Sequence, residues 1–117
     1  MLRIPKDERE IEQIARGILL TLKIPVTDQV GSIEHLGKKY TPDMVIEENG
    51  SKIAIEIKRV SSKGDLVRAT AQADAYATKY SETILILYDI KGIVEISKKQ
   101  IKDLEKKKRT YVLIIKH

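Results

Sequence analysis

The sequence contains no cysteine, no tryptophan and no phenylalanine, and it has only two histidines. The absence of cysteine excludes disulfide bonds and thiolate metal sites. His35 and His117 are too few for a histidine-rich zinc site. A bound metal would therefore be held mainly by oxygen, which favours Mg²⁺ or Mn²⁺. With aromatic residues scarce, the core must be built from Ile, Leu and Val.

The length and charge of the chain bound the kind of protein it can be. Its 117 residues fit a single domain, 1–117, and 42% hydrophobic residues indicate a globular chain. The net charge of +5 favours a polyanionic partner, although many lysine-rich domains bind none. The Lys, Glu and Ile content suits a hot environment. No signal peptide or membrane-length apolar run is visible, so we expect a cytoplasmic protein without membrane contact.

Hydrophobic periodicity predicts an α/β domain with a mixed central sheet flanked by helices. The predicted order is α-β-β-β-α-β-α-β. The predicted helices cover residues 7–22, 65–80 and 97–107, with Asp7 and Ser97 as N-caps. The predicted strands cover residues 26–34, 43–48, 52–60, 83–88 and 110–116, with a further short strand or helix lead-in at 94–96. We predict loops at 37–39, which is basic, and at 61–64.

The pair Asn49-Gly50 predicts a two-residue type I′ hairpin turn between two strands. In that register Glu48 pairs with Ser51, and Asp43 faces Glu56. Alternation then places Ala54, Glu56 and Lys58 on one face of the strand and Ile53, Ile55 and Ile57 on the other. The isoleucines are predicted to form the core face.

Two carboxylates directly opposite each other repel, and the repulsion grows among apolar neighbours. A divalent cation would offset it, and carboxylate oxygens suit Mg²⁺. Lys58 would add positive charge on the face of Glu56. The alternative is that this face is simply solvated, with Glu56 and Lys58 as ordinary surface residues.

Pro42-Asp43 followed by Glu56-Ile57-Lys58 resembles the signature of the PD-(D/E)XK nucleases. The resemblance covers about residues 6–89 and implies a restriction-endonuclease-like fold. It implies that Asp43, Glu56 and the carbonyl of Ile57 hold Mg²⁺ or Mn²⁺. By the same resemblance, Lys58 positions or activates the attacking water and steadies negative charge on the phosphate.

The start of the first helix and the middle of the second extend this resemblance. Glu8-Arg9-Glu10-Ile11 resembles archaeal Holliday junction resolvases, whose first Glu in that run joins the active site. The alternative is that Glu8 is an ordinary first-turn acid favoured by the helix dipole. Gln72 and Tyr76 resemble the QxxxY element of RecB-like nucleases, which implies a catalytic role for Gln72 and an approach of Tyr76 to DNA. The alternative for Tyr76 is a packing residue.

Several basic residues flank the proposed site in sequence and could neutralise phosphates, or simply form a solvated basic surface. They are Lys38, Lys39, Arg59, Lys63 and Arg68.

The sequence therefore predicts a metal-dependent deoxyribonuclease that acts on DNA, and the resemblance implies a homodimer. Likeness to junction resolvases favours branched DNA, and likeness to RecB-like domains favours ends or single strands. The alternatives are a non-catalytic nucleic-acid-binding module and a subunit of a larger nuclease complex.

Overall fold

The computed structural model describes residues 7–27, 30–92, 98–107 and 109–116. The helices are α1 (Glu8–Thr21), α2 (Lys63–Ala77) and α3 (Lys98–Lys107). The strands are β1 (Val26–Thr27), β2 (Ile33–His35), β3 (Lys38–Tyr40), β4 (Met44–Glu48), β5 (Ser51–Val60), β6 (Glu82–Asp89) and β7 (Thr110–Lys116). The predicted segment 94–96 and the predicted cap Ser97 lie outside the described residues.

Five strands form a mixed sheet in the order β1-β4-β5-β6-β7. The pairs β1–β4 and β4–β5 are antiparallel, whereas β5–β6 and β6–β7 are parallel. Helix α2 connects β5 to β6, as parallel neighbours require. The predicted α/β class with a mixed sheet and flanking helices is confirmed at this level.

The ends of the two longer helices follow from their capping residues. Asp7 caps α1 by accepting a hydrogen bond from the Glu10 amide at 2.9 Å. Ser62 caps α2 by accepting from the Asp65 amide, so this helix begins two residues before the predicted start and ends at Ala77. The loop predicted at 61–64 is therefore shorter than expected.

The region from residue 26 to residue 40 differs from the prediction. The single strand predicted at 26–34 is two short strands in different sheets, and the predicted basic loop at 37–39 lies partly in a strand. Strands β2 and β3 form a separate two-stranded hairpin that turns at Leu36 and Gly37. Both turn residues have positive φ, 51° and 80°. Leucine is rarely found in that conformation, so the sequence gives little sign of the turn.

Both faces of the sheet are buried. On one face, Ile11 of α1 packs against a cluster that includes Ile55 and Ile57, so the predicted isoleucine core is confirmed. On the other face α2 covers Ala54 of β5, which clusters with Tyr76 and Tyr80. The prediction was incomplete because it assigned a core to one face only.

None of the described helices is both long and apolar enough to cross a membrane.

Candidate metal centre and adjoining cleft

The predicted hairpin register is confirmed along β4 and β5. Asn49 and Gly50 both have positive φ, 54° and 82°, and Glu48 pairs with Ser51. The pairing continues to Met44 and Ile55, so Asp43, the next residue, lies opposite Glu56. The Asp43 amide donates a hydrogen bond to Glu56 Oε1 at 3.2 Å. The two carboxylates are thus brought together by the turn.

Asp43 also replaces a backbone partner at the edge of β5. In a continued antiparallel ladder Ile57 would pair with Pro42, which has no N–H to donate to the Ile57 carbonyl. The Ile57 amide, which would then donate to the Pro42 carbonyl, donates to Asp43 Oδ2 at 2.7 Å. The N–H and C=O of a strand residue point to the same edge, so the Ile57 carbonyl faces the side on which Asp43 lies.

Glu56 lies beneath helix α2 and is only 5% exposed. The solvated-face alternative for Glu56 is therefore wrong. Tyr76 donates its hydroxyl to Glu56 Oε1 at 3.1 Å, and Gln72 donates Nε2 to Glu56 Oε2 at 3.2 Å. Since these helix residues are four apart, both reach down from one face of α2. The prediction that a Gln among alanines needs a polar partner is met by Glu56.

Burial and, as the second cause, the negative charge of Asp43 together raise the pKa of Glu56 to about 8. The Tyr76 hydroxyl, the positive charge of Lys58 and the Asp43 amide oppose this rise. Burial also raises the pKa of Asp43 above its ordinary value, although the Ile57 amide holds it down. Asp43 is therefore the first of the pair to ionise, and its charge hinders ionisation of Glu56.

Lys58 is half-buried on the same face of β5 as Glu56. Its charge lowers the pKa of both carboxyls. Two acidic groups and one lysine leave this centre with one more potential negative charge than positive charge.

Helix α1 brings acidic groups to the same end of β5. Glu8 Oε1 accepts a hydrogen bond from the Arg59 amide at 2.6 Å, two residues beyond Ile57. The charges of Glu12 and Glu8 both raise the pKa of Asp43, with the larger effect from Glu12. Glu8 is thus close to the centre but is engaged with the backbone of β5.

Arg16 is a contact that sequence reasoning missed. Its guanidinium lies 3.1 Å from Glu12 Oε1 and donates a hydrogen bond to the Asp43 carbonyl at 3.3 Å. The i, i+4 spacing of Glu12 and Arg16 predicts their pairing. Nothing in the sequence indicates that the pair reaches Asp43, because 27 residues separate Arg16 from it.

The six residues proposed to contact nucleic acid fall in different places. Lys38 and Arg68 line a cleft together with Lys58 and Gln72. Lys39, Arg59 and Lys63 are exposed but do not line it, and Arg59 lies on the opposite face of β5 from Lys58. Tyr76 is 0% exposed, so the prediction that it approaches DNA is wrong for this conformation. Its hydroxyl is used by Glu56 instead.

The donors present are suited to a small divalent cation. Among the described residues, no three His, Cys, Asp or Glu side chains converge on one point. Asp43 and Glu56, with the Ile57 carbonyl facing the same edge, nevertheless provide oxygen donors of the type that Mg²⁺ takes, and Mg²⁺ usually keeps several waters. Gln72 Oε1 is also buried beside Glu56, and the part of the chain that the structure describes offers it no hydrogen-bond partner. An ordered water beside a cation would satisfy that oxygen.

No protein-family model matches the chain, and a search of curated proteins finds no sequence that matches it significantly.

Proposed function

We propose that the protein is a divalent-metal-dependent nuclease that hydrolyses phosphodiester bonds in DNA. The observation that carries the proposal is the pairing of Asp43 with Glu56 across the hairpin, where burial raises the pKa of Glu56 to about 8. Two ionised carboxylates this close repel each other when alone, whereas a cation between them makes the arrangement favourable. The matching PD-(D/E)XK pattern and the mixed sheet with a helix on each face support a restriction-endonuclease-like fold.

In this proposal Asp43, Glu56 and the Ile57 carbonyl hold Mg²⁺ or Mn²⁺. When bound, the ion would polarise the phosphate and lower the pKa of an attacking water. Lys58 places a positive charge beside the same carboxylates, where it can orient that water and stabilise charge on the phosphate. Gln72 and Tyr76 position the Glu56 carboxylate through their hydrogen bonds.

Glu8 has a supporting role in the proposal. Its carboxylate binds the Arg59 amide and so fixes the end of β5 that carries Ile57 and Lys58. Arg16 fixes Asp43 from the other side through the Asp43 carbonyl. Both residues would therefore orient the proposed ligands without touching the reacting atoms.

The predicted homodimer remains a prediction, and β7 offers a surface for it. This edge strand runs from Thr110 to Ile115 without a charged residue, and Leu113 and Ile114 are 55% and 40% exposed. Such an edge readily pairs with a second copy of itself about a two-fold axis. Sedimentation should show a dimer that Leu113→Lys dissociates, and a monomeric native chain would contradict the prediction.

One observation favours a second candidate, a non-catalytic nucleic-acid-binding module. Glu56 already accepts hydrogen bonds from Asp43, Gln72 and Tyr76, and a protonated Glu56 needs no cation. In that case DNA would bind equally well with metal or with chelator, and it would bind better after removal of the acids, since carboxylates repel phosphate.

The deciding experiment compares the native chain with Asp43→Asn. Both would be incubated with labelled duplex, single-stranded and four-way-junction DNA in Mg²⁺, Mn²⁺ or chelator. We expect cleavage only with metal, reduced by about 10²–10⁴-fold in the variant, since metal stabilisation of the transition state contributes several kcal/mol.

Glu48→Gln is the matched control, because it makes the same acid-to-amide change at an exposed position of the same hairpin. Circular dichroism would establish that both variants are folded. Absence of cleavage of any substrate by the native chain, with tighter DNA binding by Asp43→Asn, would select the binding module.

A further inference from the structure

A cleft of about 310 Å³ opens between helix α2 and strand β3, beside the carboxylate pair. Its lining residues are Lys38, Tyr40, Lys58, Val67, Arg68, Ala71 and Gln72. The β2–β3 hairpin supplies one wall, α2 supplies the other, and Lys58 of β5 lies between them. Its volume falls at the lower end of the range of small-molecule sites, about 300–1,000 Å³. The cleft is therefore suited to a single small group and not to a double helix.

Each wall of the cleft carries an apolar surface, and on one wall that surface is an aromatic side chain. Tyr40 is half-buried and packs against the cluster of Ile33, Val45, Ala54, Tyr76 and Tyr80. The ring is therefore held in place by the core. Across the cleft, α2 presents Val67, which is 63% exposed, and Ala71. A flat apolar group between these walls would be stacked on Tyr40 and covered by α2.

The polar residues of the cleft favour an anion. Lys38, Lys58 and Arg68 all line it, whereas none of the acidic side chains that the structure describes does. Arg68 is ion-paired with Asp65, so its charge is partly neutralised. Lys38 and Lys58 supply the remaining positive charge. A ligand with both a flat apolar face and a phosphate matches this combination.

The cleft also leads directly to the proposed centre. Gln72 lines it and donates to Glu56 Oε2 at 3.2 Å, and Lys58 lies on the same face of β5 as Glu56. A nucleotide in the cleft would therefore have its neighbouring phosphodiester near Asp43 and Glu56. In a duplex each base is paired and stacked, so only an unpaired base can enter such a lateral cleft.

We propose that this cleft holds an unpaired nucleotide of the substrate, with its base on Tyr40 and its phosphate near Lys38 and Lys58. The substrate class is then single-stranded DNA or an unpaired segment within a larger DNA. This inference rests on the proposed function for its link to cleavage, although the binding itself is independent of cleavage.

The test uses the absence of tryptophan from the chain. Tyr40→Trp, made together with Asp43→Asn to prevent cleavage, places a single tryptophan in the cleft wall, which can be excited selectively over the remaining tyrosines. We expect a short single-stranded oligonucleotide to quench its emission by stacking, and a blunt duplex of the same sequence to require at least ten times the concentration. Equal quenching by both DNAs would overturn the proposal.

Binding by tyrosine variants provides a second measurement. Tyr40→Ala should weaken single-strand binding roughly 5- to 150-fold, because stacking of a base on an aromatic ring contributes about 1–3 kcal/mol. Tyr40→Phe keeps the ring and should bind normally. Leu36→Ala is the control within the same hairpin, since Leu36 is 90% exposed and lies outside the cleft.

The results separate the two proposals. Single-strand binding that depends on Tyr40, without metal-dependent cleavage, would support the cleft and contradict the nuclease. Metal-dependent cleavage with single-strand binding unchanged in a folded Tyr40→Ala variant would support the nuclease and overturn the cleft.

Discussion

The two faces of β5 are both buried, and two neighbouring residues show how they differ in chemistry. Ile57 is 1% exposed on one face, and Glu56, its neighbour in sequence, is 5% exposed on the other. Ile57 packs in an apolar cluster with Ile11 of α1, whereas Glu56 receives hydrogen bonds from α2. Burial stabilises the fold on the first face and raises the energy of a charge on the second. The isoleucine face is therefore purely a core face, whereas the other face combines core residues such as Ala54 with the residues that we propose carry out chemistry.

Truncating Ile57 on the isoleucine face should have the largest effect on stability. Ile57→Ala deletes a fully buried side chain, and such substitutions destabilise by about 2–5 kcal/mol. Chemical denaturation should show this loss in the unfolding free energy. The control Ile18→Ala alters a side chain that is 55% exposed and should have a much smaller effect. Equal losses would show that the isoleucine face is not the main core.

Neutralising Glu56 on the other face should increase stability, in contrast to the loss expected for Ile57→Ala. The pKa of Glu56 rises from 4.5 to about 8 on folding, so the folded state holds its proton more tightly than the unfolded state. In chelator, stability should therefore fall as pH rises from about 5 to 8, by an amount on the order of a few kcal/mol.

Glu56→Gln should remove most of this pH dependence and be more stable than the native chain at pH 8. Its new amide group can donate to Gln72 Oε1, for which the described residues of the native protein provide no hydrogen-bond partner. Glu48→Gln should leave the profile unchanged. A flat native profile between pH 5 and 8 would contradict the raised pKa.

Adding metal should reverse the effect of pH on the native chain. Ionised Glu56 is the form that binds a cation, so Mn²⁺ should stabilise more at pH 8 than at pH 6. At a hundredfold excess over the dissociation constant, the gain is about 2.7 kcal/mol. Thermal unfolding with and without chelator would measure it, and no comparable gain should occur in Asp43→Asn. Equal gains in both proteins would place the ion elsewhere.

The smallest effect on stability should come from removing the Tyr76 hydroxyl, which donates a hydrogen bond to Glu56. Tyr76→Phe removes a hydrogen bond of the kind that contributes about 0.5–1.5 kcal/mol and leaves the ring in place. The hydroxyl lowers the pKa of Glu56, so its loss should raise that pKa further and weaken Mn²⁺ binding at pH 7. Tyr80→Phe in the same cluster is the control. Unaltered Mn²⁺ affinity in Tyr76→Phe would show that Tyr76 serves packing alone.

The sequence was most informative where a short local motif determines the positions of residues farther along the chain. Asn49-Gly50 restricts the turn type, and the turn then fixes which residues face each other as far as Asp43 and Glu56. Gln72 could be predicted because a polar residue among alanines needs a partner. Arg16 and Tyr40 could not, since only tertiary packing brings them to the site. The β2–β3 hairpin was missed because Leu36-Gly37 is an unusual turn pair.

The local character of the β4–β5 hairpin has a consequence for the order of folding. Its strands are joined by two residues, so this contact can form in microseconds, before the non-local parallel pairing of β5 with β6. Asp43 and Glu56 would then come together while their carboxyl groups are still hydrated. Water would be excluded from them only when α2 docks. The burial penalty therefore belongs to a late step, and in chelator refolding should be faster at pH 6 than at pH 8.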